Sequence, residues 1–297
     1  MILLSGSSNQ PFAQKIAQNL GGKLGAVELS KFPDDELRVR VLEEVKGQDV
    51  ALIQSFSTPV DSNIIEFSLL TDALFRLGAR RVFAVIPWLG YSLQDKVFLP
   101  GEPIAAKVIA TILSSLSIYR FILMSLHNNS IQGFFTNPSS VLSADEIFAQ
   151  DIQAHQNVVL VAPDFGGLKR VGKFAGSLNL PYVNIDKHRD LTTGQVTVQS
   201  LSGDVSGKTA VIVDDVINGG STAVETAKVL REKGATKIIM YVTHALLADD
   251  AGKKLQDSEL DEVVVTDTVD TSKKSFAKLR VLSVASVFAK ELADWSK

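Results

Sequence analysis

The chain has 297 residues, of which 45% are hydrophobic and 21% are charged, and its formal net charge is -3. This length predicts two globular domains, because a domain usually holds roughly 100–200 residues. The nearly balanced charge leaves no basic tract for nucleic acid or an anionic membrane surface. The absence of cysteine excludes disulfides, thiol nucleophiles and zinc–thiolate sites.

The chain begins with four apolar residues, MILL, that no positive charge precedes. Such a run is too short for a signal-peptide core and predicts a first β-strand. No later apolar run approaches the roughly 18 residues that a membrane-spanning helix needs. We therefore expect a cytoplasmic protein without membrane contact.

β-rich runs recur along the rest of the chain, and they are continuously apolar rather than alternating. Continuous apolar runs are expected for parallel strands that are covered on both faces. Helical periods lie between them, for example at Val171, Phe174 and Leu178. The alternation predicts an α/β fold with mostly parallel sheets. The runs cover residues 50–56, 81–87, 120–126, 158–163, 209–215, 237–243, 262–267 and 280–285.

The segment 136–155, TNPSSVLSADEIFAQDIQAH, contains turn residues and no apparent strand. We expect the domain boundary there, which gives domains at 1–145 and 146–297 with about four or five strands each. The last helix of the second range is a candidate to pack on the first domain.

A glycine-rich turn follows the apolar run that ends at residue 215. Gly219 and Gly220 permit backbone conformations that other residues avoid, so several N–H groups can converge on one anion. Ser221 and Thr222 add hydroxyl donors, and the helical pattern that follows presents its positive end. This half of the segment suits a phosphate group.

Two carboxylates, Asp214 and Asp215, stand immediately before that turn. They do not suit phosphate, but they can accept hydrogen bonds from ribose hydroxyls or bind magnesium. Acid beside an anion cradle therefore favours a sugar-phosphate site. The alternative is a capped strand-to-helix turn without a ligand.

The segment VIVDDVINGGST resembles the phosphoribosyl pyrophosphate loop of type I phosphoribosyltransferases and ribose-phosphate diphosphokinases. Five further segments resemble diphosphokinase motifs in the order of that family, so the resemblance covers nearly the whole chain. They are KFPDDELRVRV (31–41), GYSLQDKVFLPGEPIAAKVIA (90–110), SLHNNSIQGFF (125–135), VAPDFGGLKRV (161–171) and DKHRD (186–190). The resemblance implies two type I phosphoribosyltransferase-like domains, each a mostly parallel sheet flanked by helices.

The resemblance also implies a reaction, in which the diphosphoryl group of ATP passes intact to the anomeric hydroxyl of ribose 5-phosphate. The products are phosphoribosyl pyrophosphate and AMP, and the reaction depends on Mg²⁺. Catalysis of this kind is mostly alignment and charge neutralisation. The family shares sites between subunits, which implies a homodimer or a larger homo-oligomer.

Site residues are implied by the same motifs. Those implied for ribose 5-phosphate are Asp164, Asp214, Asp215, Asn218, Gly219, Gly220, Ser221 and Thr222. Those implied for ATP are Phe32, Asp34, Glu36, Gln94, Asp95, Lys96 and His127. Lys187 and Arg189 are implied as cations of a mobile catalytic loop, and His127 and Asp164 as magnesium ligands.

Single residues of this set have plainer interpretations when each is taken alone. Asp164 can be a helix N-cap, and His127 a hydrogen-bonded surface residue. Phe32 can be core or turn packing, and Lys187 with Arg189 can belong to a solvated charged loop. The surrounding motifs favour the functional interpretation.

Four features depart from the family pattern. Leu93 stands where an ATP-contacting arginine is usual, Ser125 where an aspartate is usual, and Asn218 where the loop has a later aspartate. The segment VFLPGEP also lacks basic residues that commonly follow the glutamine motif. Loss of one bidentate arginine–phosphate contact costs about 1.5–3 kcal/mol, which weakens a site without dismantling it.

Three other functions stay open at this point. The acceptor can be a larger ribose 5-phosphate derivative, for which Leu93 and the two loop glycines leave room. The chain can also be a catalytically impaired regulatory paralogue, which the departures motivate. A base-transferring phosphoribosyltransferase is disfavoured, because such proteins need one of the two domains.

Overall fold

The computed structural model describes residues 1–189 and 196–295, and it gives the backbone alone for 186–189 and 196–200. The chain folds into two compact units. The first unit comprises Met1–Ser143, Asp267–Asp270 and Ser283–Lys297, and the second comprises Ala144–Thr266 and Thr271–Leu282.

The first unit contains a parallel sheet of five strands with the order β1-β4-β5-β6-β7. These strands are β1 (Ile2–Ser5), β4 (Asp49–Ile53), β5 (Arg81–Ile86), β6 (Arg120–Met124) and β7 (Ser139–Leu142). A separate antiparallel hairpin consists of β2 (Val27–Lys31) and β3 (Leu37–Val41). The helices are α1 (Gln10–Asn19), α2 (Val60–Arg76), α3 (Ala105–Ser114), a 3₁₀ helix (Asn129–Phe134) and α8 (Ala285–Trp295).

Helix α1 shows how local sequence sets an element of this unit. The Asn9 side chain accepts a hydrogen bond from the Phe12 N–H and caps the helix start. Phe12 and Ile16 lie one turn apart on the buried face of the helix. The Phe12 ring meets the Phe288 ring of α8 edge-on, with centroids 5.4 Å apart. The C-terminal helix therefore packs within the first unit.

The second unit contains a sheet of seven strands with the order β10-β9-β8-β11-β12-β13-β14, in which the β9–β10 pair is antiparallel and the other pairs are parallel. The strands are β8 (Val158–Ala162), β9 (Tyr182–Arg189), β10 (Val196–Leu201), β11 (Thr209–Ile217), β12 (Lys237–Ala245), β13 (Glu262–Thr266) and β14 (Leu279–Leu282). The helices are α4 (Asp145–Ile152), α5 (Leu168–Leu178), α6 (Ser221–Glu232) and α7 (Ala251–Gln256).

The predicted α/β class with mostly parallel sheets is confirmed, and all eight predicted apolar runs coincide with strands. The expectation that 136–155 holds no strand is wrong, because β7 pairs in parallel with β6 there and α4 follows it. All four β7 residues are partly exposed, so this edge strand lacks the continuous apolar run that identifies a buried one.

Among the described residues, no helix combines the length and the apolar composition that crossing a membrane requires.

Candidate active site

The glycine turn is shorter than the sequence indicates, because β11 continues through Ile217 rather than ending at residue 215. Helix α6 begins at Ser221, so the turn is Asn218 to Gly220. Gly220 has a φ of +79°, a left-handed conformation that a side chain would strain. A Cβ on Gly219 would meet nothing within 4 Å among the described atoms, which leaves open space over the turn.

The start of α6 offers backbone N–H donors of the kind that suit an anion. The first N–H groups of an α-helix have no partner within the helix, and they carry the positive end of its dipole. No acidic residue stands in the first turn of α6. A backbone hydrogen bond holds the turn in place, because the Ala248 N–H donates to the Asn218 carbonyl at 3.0 Å. Ser221 and Thr222, the first residues of α6, therefore follow a turn whose conformation this hydrogen bond helps to hold.

Asp214 and Asp215 lie in the second half of β11 and not on a loop, and Asp214 is in register with Val242 of β12. Asp215 is buried, and Asp214 is partly buried. The Oδ1 atom of Asp214 accepts a hydrogen bond from the Asp215 N–H at 2.9 Å, so this carboxylate lies against the backbone of the next residue. Two adjacent carboxylates thus lie on β11, separated from the glycine turn by Val216 and Ile217.

Arg170 joins these two carboxylates and is a site residue that the sequence analysis did not identify. Its Nη2 lies 3.0 Å from Asp214 Oδ1, and its Nη1 lies 3.0 Å from Asp215 Oδ1. Burial, followed by the charge of Asp215, raises the pKa of Asp214 to about 7, while Arg170 acts to lower it. The signal was present in VAPDFGGLKRV, where an arginine follows the glycine pair at the start of a helix.

Asp164 lies in the turn after β8 and is exposed. Its Oδ1 atom accepts a hydrogen bond from the Gly167 N–H at 2.9 Å, directly before α5 begins. Asp164 is therefore not the N-cap of α5, which is Gly167, but its carboxylate closes the turn that precedes the helix. An exposed carboxylate with two oxygens can serve that role and still bind a ligand.

In the first unit, one hydrogen bond brings two predicted segments together. Asn128, next to His127, donates from Nδ2 to Asp95 Oδ2 at 2.8 Å. Gln94 accepts a backbone hydrogen bond from Ala106 at 3.1 Å, which fixes its segment to the start of α3. Lys96 Nζ lies 5.1 Å from the centroid of an aromatic ring, that of Phe98.

Phe32, Asp34 and Glu36 occupy the turn between β2 and β3. The Phe32 side chain is 46% exposed, so the interpretation of this residue as core packing is wrong. The turn is closed by the Phe32 N–H, which donates to the Glu36 carbonyl at 2.8 Å, and by Asp34 Oδ1, which accepts from the Glu36 N–H. Among the described residues, no hydrogen bond or ion pair joins these three side chains to Gln94 or Lys96.

Lys187 and Arg189 lie on the backbone of β9, opposite Val198 and Val196 of β10. The expected loop therefore contains strand as far as Arg189. Their side chains, together with residues 190–195, lie outside the described part of the chain.

The described residues contain no cluster of three or more His, Asp or Glu side chains that would hold a metal by themselves. Magnesium is commonly held by one or two carboxylates together with substrate phosphates and water. The exposed carboxylate of Asp164 fits that arrangement. His127 is exposed in the first unit and Asp164 in the second.

Family models match both ends of the chain. Residues 1–116 match the N-terminal domain of ribose phosphate pyrophosphokinase, and residues 189–293 match the phosphoribosyl synthetase-associated domain.

Curated relatives extend the similarity along the chain. A ribose-phosphate pyrophosphokinase of Fusobacterium nucleatum subsp. nucleatum is 37% identical over 97% of this chain and 92% of its own length. One of Caldanaerobacter subterraneus subsp. tengcongensis is 38% identical over 98% of this chain and 93% of its own length. Among solved structures, phosphoribosylpyrophosphate synthetase from Mycobacterium smegmatis superposes with a TM-score of 0.92 at 33% identity, covering 99% of this chain and 98% of that one.

Proposed function

This chain belongs to the ribose-phosphate pyrophosphokinase family, and we propose that it transfers a diphosphoryl group from ATP to ribose 5-phosphate. The anomeric hydroxyl oxygen forms a bond to the β-phosphorus, the bond from that phosphorus to the α,β-bridging oxygen breaks, and AMP leaves. The hydroxyl proton is lost to solvent or to a base. The observation that supports the proposal is the pair Asp214 and Asp215 near the end of β11, two residues before the glycine turn that leads into α6.

The second unit supplies the sugar-phosphate half of the site. The N–H groups at the start of α6 and the hydroxyls of Ser221 and Thr222 donate to the 5-phosphate. Asp214 and Asp215 accept hydrogen bonds from the ribose hydroxyls, and Asn218, Gly219 and Gly220 complete the turn around the ligand. The division into acceptors for hydroxyls and donors for phosphate distinguishes a sugar phosphate from a free phosphate.

The first unit supplies the nucleotide half. Gln94, Asp95 and Lys96 stand beside the segment of His127, and the Asn128–Asp95 hydrogen bond holds the two segments together. The exposed ring of Phe32, with Asp34 and Glu36 on the same turn, is suited to stack on the adenine. An exposed hairpin tip of this kind fits a residue that serves a neighbouring subunit, so we propose a homodimer or a larger homo-oligomer.

Charge on the transferring phosphates requires cations. We assign Lys187 and Arg189 to that role, since cationic donors aimed at developing charge contribute several kcal/mol in such sites. We propose His127 and Asp164 as magnesium ligands, each together with substrate phosphates and water, and Mg²⁺ would supply further neutralisation and alignment of the triphosphate.

A second candidate function keeps the chemistry and changes the acceptor to a larger ribose 5-phosphate derivative. The open space over Gly219 and the shorter, uncharged side chain of Leu93 favour it. A regulatory paralogue without activity is the remaining alternative.

One assay separates these functions. The full-length protein is incubated with Mg²⁺, a nucleoside triphosphate and a sugar phosphate, and the nucleotide product is identified by chromatography. Ribose 5-phosphate with ATP should release AMP and no ADP. Release of AMP with larger derivatives alone would identify the second candidate, and no AMP from any pair would identify a paralogue.

The Lys187→Ala variant tests the assignment of the cations in the same assay. We expect turnover to fall by about two or more powers of ten, with the melting temperature unchanged. Lys228→Ala, an exposed lysine on α6, is the control and should keep the activity of the parent. Full activity in Lys187→Ala would remove the residue from the site.

A further inference from the structure

Arg170 is not among the residues proposed to bind the substrates, but it contacts two of them, Asp214 and Asp215. It is the third residue of α5, and its guanidinium group spans two consecutive carboxylates of β11. Both contacts measure 3.0 Å, one from each terminal nitrogen. The group therefore bridges Asp214 and Asp215 rather than forming a fork on one carboxylate.

The bridge has a geometric consequence, since successive side chains of a β-strand normally point to opposite faces of the sheet. Here the carboxylate of Asp214 lies back over the Asp215 N–H, which donates to its Oδ1 at 2.9 Å. The second contact from Arg170 holds Asp215 on the same side. Arg170 thereby fixes the two carboxylates side by side before any sugar arrives.

The bridge also has an electrostatic consequence. Two neighbouring carboxylates repel each other, and burial adds to the cost of charge on Asp214. A protonated carboxyl group would donate a hydrogen bond and lose part of its capacity to accept. A cation within 3.0 Å of both acids opposes that protonation.

Arg170 does not have the contacts of an arginine placed for stability alone. Its Nε atom is buried and has no hydrogen-bond partner among the described residues. An unsatisfied buried donor costs free energy, and proteins seldom retain one without a reason. The cost is understandable if the guanidinium must span both carboxylates.

We propose that Arg170 is the positioning residue of the sugar site, which holds Asp214 and Asp215 side by side so that both accept hydrogen bonds from the ribose hydroxyls. Arg170 acts through the two acids and does not itself contact the sugar. The inference rests on the proposed function, because it assigns the two acids to ribose.

The test compares Arg170→Met and Arg170→Lys with the parent protein. Dissociation constants are measured by calorimetry for ribose 5-phosphate and for 2,3-dideoxyribose 5-phosphate, which keeps the phosphate but lacks both ring hydroxyls. kcat and KM for ribose 5-phosphate are measured at saturating ATP and Mg²⁺. Arg231→Met is the matched control, because Arg231 bridges Glu259 and Asp261 in the same unit and away from the acids of β11.

Arg170→Met should weaken binding of ribose 5-phosphate about tenfold or more, because each acid loses its charged partner. Binding of the dideoxy compound should change less than about twofold. Arg170→Lys should recover part of the loss, since it restores the charge without the bridging geometry. Arg231→Met should leave both constants unchanged.

Three outcomes would overturn the inference: unchanged KM in a folded Arg170→Met variant, equal weakening of the two sugar phosphates, or no recovery by lysine. If Arg170→Met does not fold, the test uses Arg170→Lys alone. The ratio of its dissociation constants for ribose 5-phosphate and the dideoxy compound is compared with the ratio of the parent, and equal ratios would refute the proposal. Failure of the proposed function is distinct, because the parent protein itself would then release no AMP.

Discussion

Two clusters in the second unit each contain one arginine that contacts two acids, but their electrostatics are opposite. In the first, Arg170 bridges the neighbouring residues Asp214 and Asp215, and the pKa of Asp214 is raised to about 7. In the second, Arg280 of β14 contacts Asp151 of α4 and Glu262 of β13. There the hydrogen bonds from Arg280 lower the pKa of Asp151.

The two clusters differ in how many hydrogen bonds from cationic or hydroxyl donors each acid accepts. Asp151 accepts two hydrogen bonds from Arg280, at 2.8 and 2.6 Å, and one from the Tyr241 hydroxyl at 2.5 Å. The second acid of this cluster, Glu262, belongs to a different element, β13. In the Asp214 cluster the two acids are adjacent in the chain, and Asp215 is buried while Asp214 is partly buried. The charge of Asp151 is stabilised by its partners, whereas the charge of Asp214 is opposed by burial and by Asp215, so a ligand with hydroxyl donors would stabilise it.

The largest expected effect is on catalysis, in Asp214→Asn. kcat/KM for ribose 5-phosphate should fall by about two powers of ten, because the amide keeps the shape of the side chain and loses its charge. The melting temperature should stay equal or rise, since Arg170 would then pair with one acid. Steady-state kinetics and calorimetry measure the two quantities, with Asp204→Asn, an exposed acid, as the control. A large loss of stability would show that Asp214, like Asp151, serves mainly to stabilise the fold.

Asp151→Asn should have the reverse effect. The free energy of unfolding of the second unit should fall by about 1.5–3 kcal/mol, because Arg280 loses its bidentate partner and the buried Tyr241 hydroxyl loses a charged acceptor. kcat and KM per folded molecule should not change. Urea unfolding, followed by signals from the second unit, gives the free energy. Loss of activity in a protein of parental stability would contradict the contrast between the clusters.

The pH dependence of stability should also separate Asp214 from Asp151. Because the folded-state pKa of Asp214 lies above its ordinary value of 3.8, its charge disfavours the fold above pH 7. That penalty should shrink as the pH falls from about 7 towards 4, where the carboxyl is protonated in both states. We therefore expect Asp214→Asn to exceed the parent in melting temperature at pH 8, and the difference to narrow at pH 5. A difference that does not change with pH would contradict the raised pKa.

Asp151 requires the opposite sign. Its folded-state pKa is lowered, so the stabilisation by its charge is present at neutral pH and is lost as the pH falls through the acid range. The parent should therefore have the higher melting temperature at pH 7. Its advantage over Asp151→Asn should shrink as the pH falls through the acid range.

The sequence predicted the parts of this fold that depend on burial. The strands β4, β8 and β11 are continuous apolar runs, and the parallel α/β class follows from their alternation with helices. The hairpin β2–β3 alternates partly buried and exposed residues, and all residues of the edge strand β7 are partly exposed. Such elements depend on pairing with a neighbour that the local pattern does not reveal.

The same limit applies to the site. Local chemistry predicted the acids and glycines of 214–222, because one strand and one turn bring them together. Arg170 stands 44 positions before Asp214, and contact between them depends on the parallel pairing of β8 with β11. A single sequence cannot reveal that pairing. The exposed state of Phe32 likewise follows from the hairpin and not from its apolar side chain.

The smallest expected effect concerns His155, at the edge of the Asp151 cluster. Its Nε2 lies 3.3 Å from the Tyr241 hydroxyl, which already donates to Asp151 at the shorter distance of 2.5 Å. Burial, with the charge of Lys237, lowers the pKa of His155, so the ring is neutral at pH 7 and an uncharged glutamine is a fair replacement. His155→Gln should therefore change the free energy of unfolding by less than about 0.5 kcal/mol and leave kcat and KM unchanged. The urea and kinetic measurements used for Asp151→Asn apply here. A loss as large as that of Asp151→Asn would show that the Tyr241 hydroxyl depends on the imidazole of His155. The stability of this cluster would then come from His155, Asp151 and Arg280 together rather than from the Arg280–Asp151 pair alone.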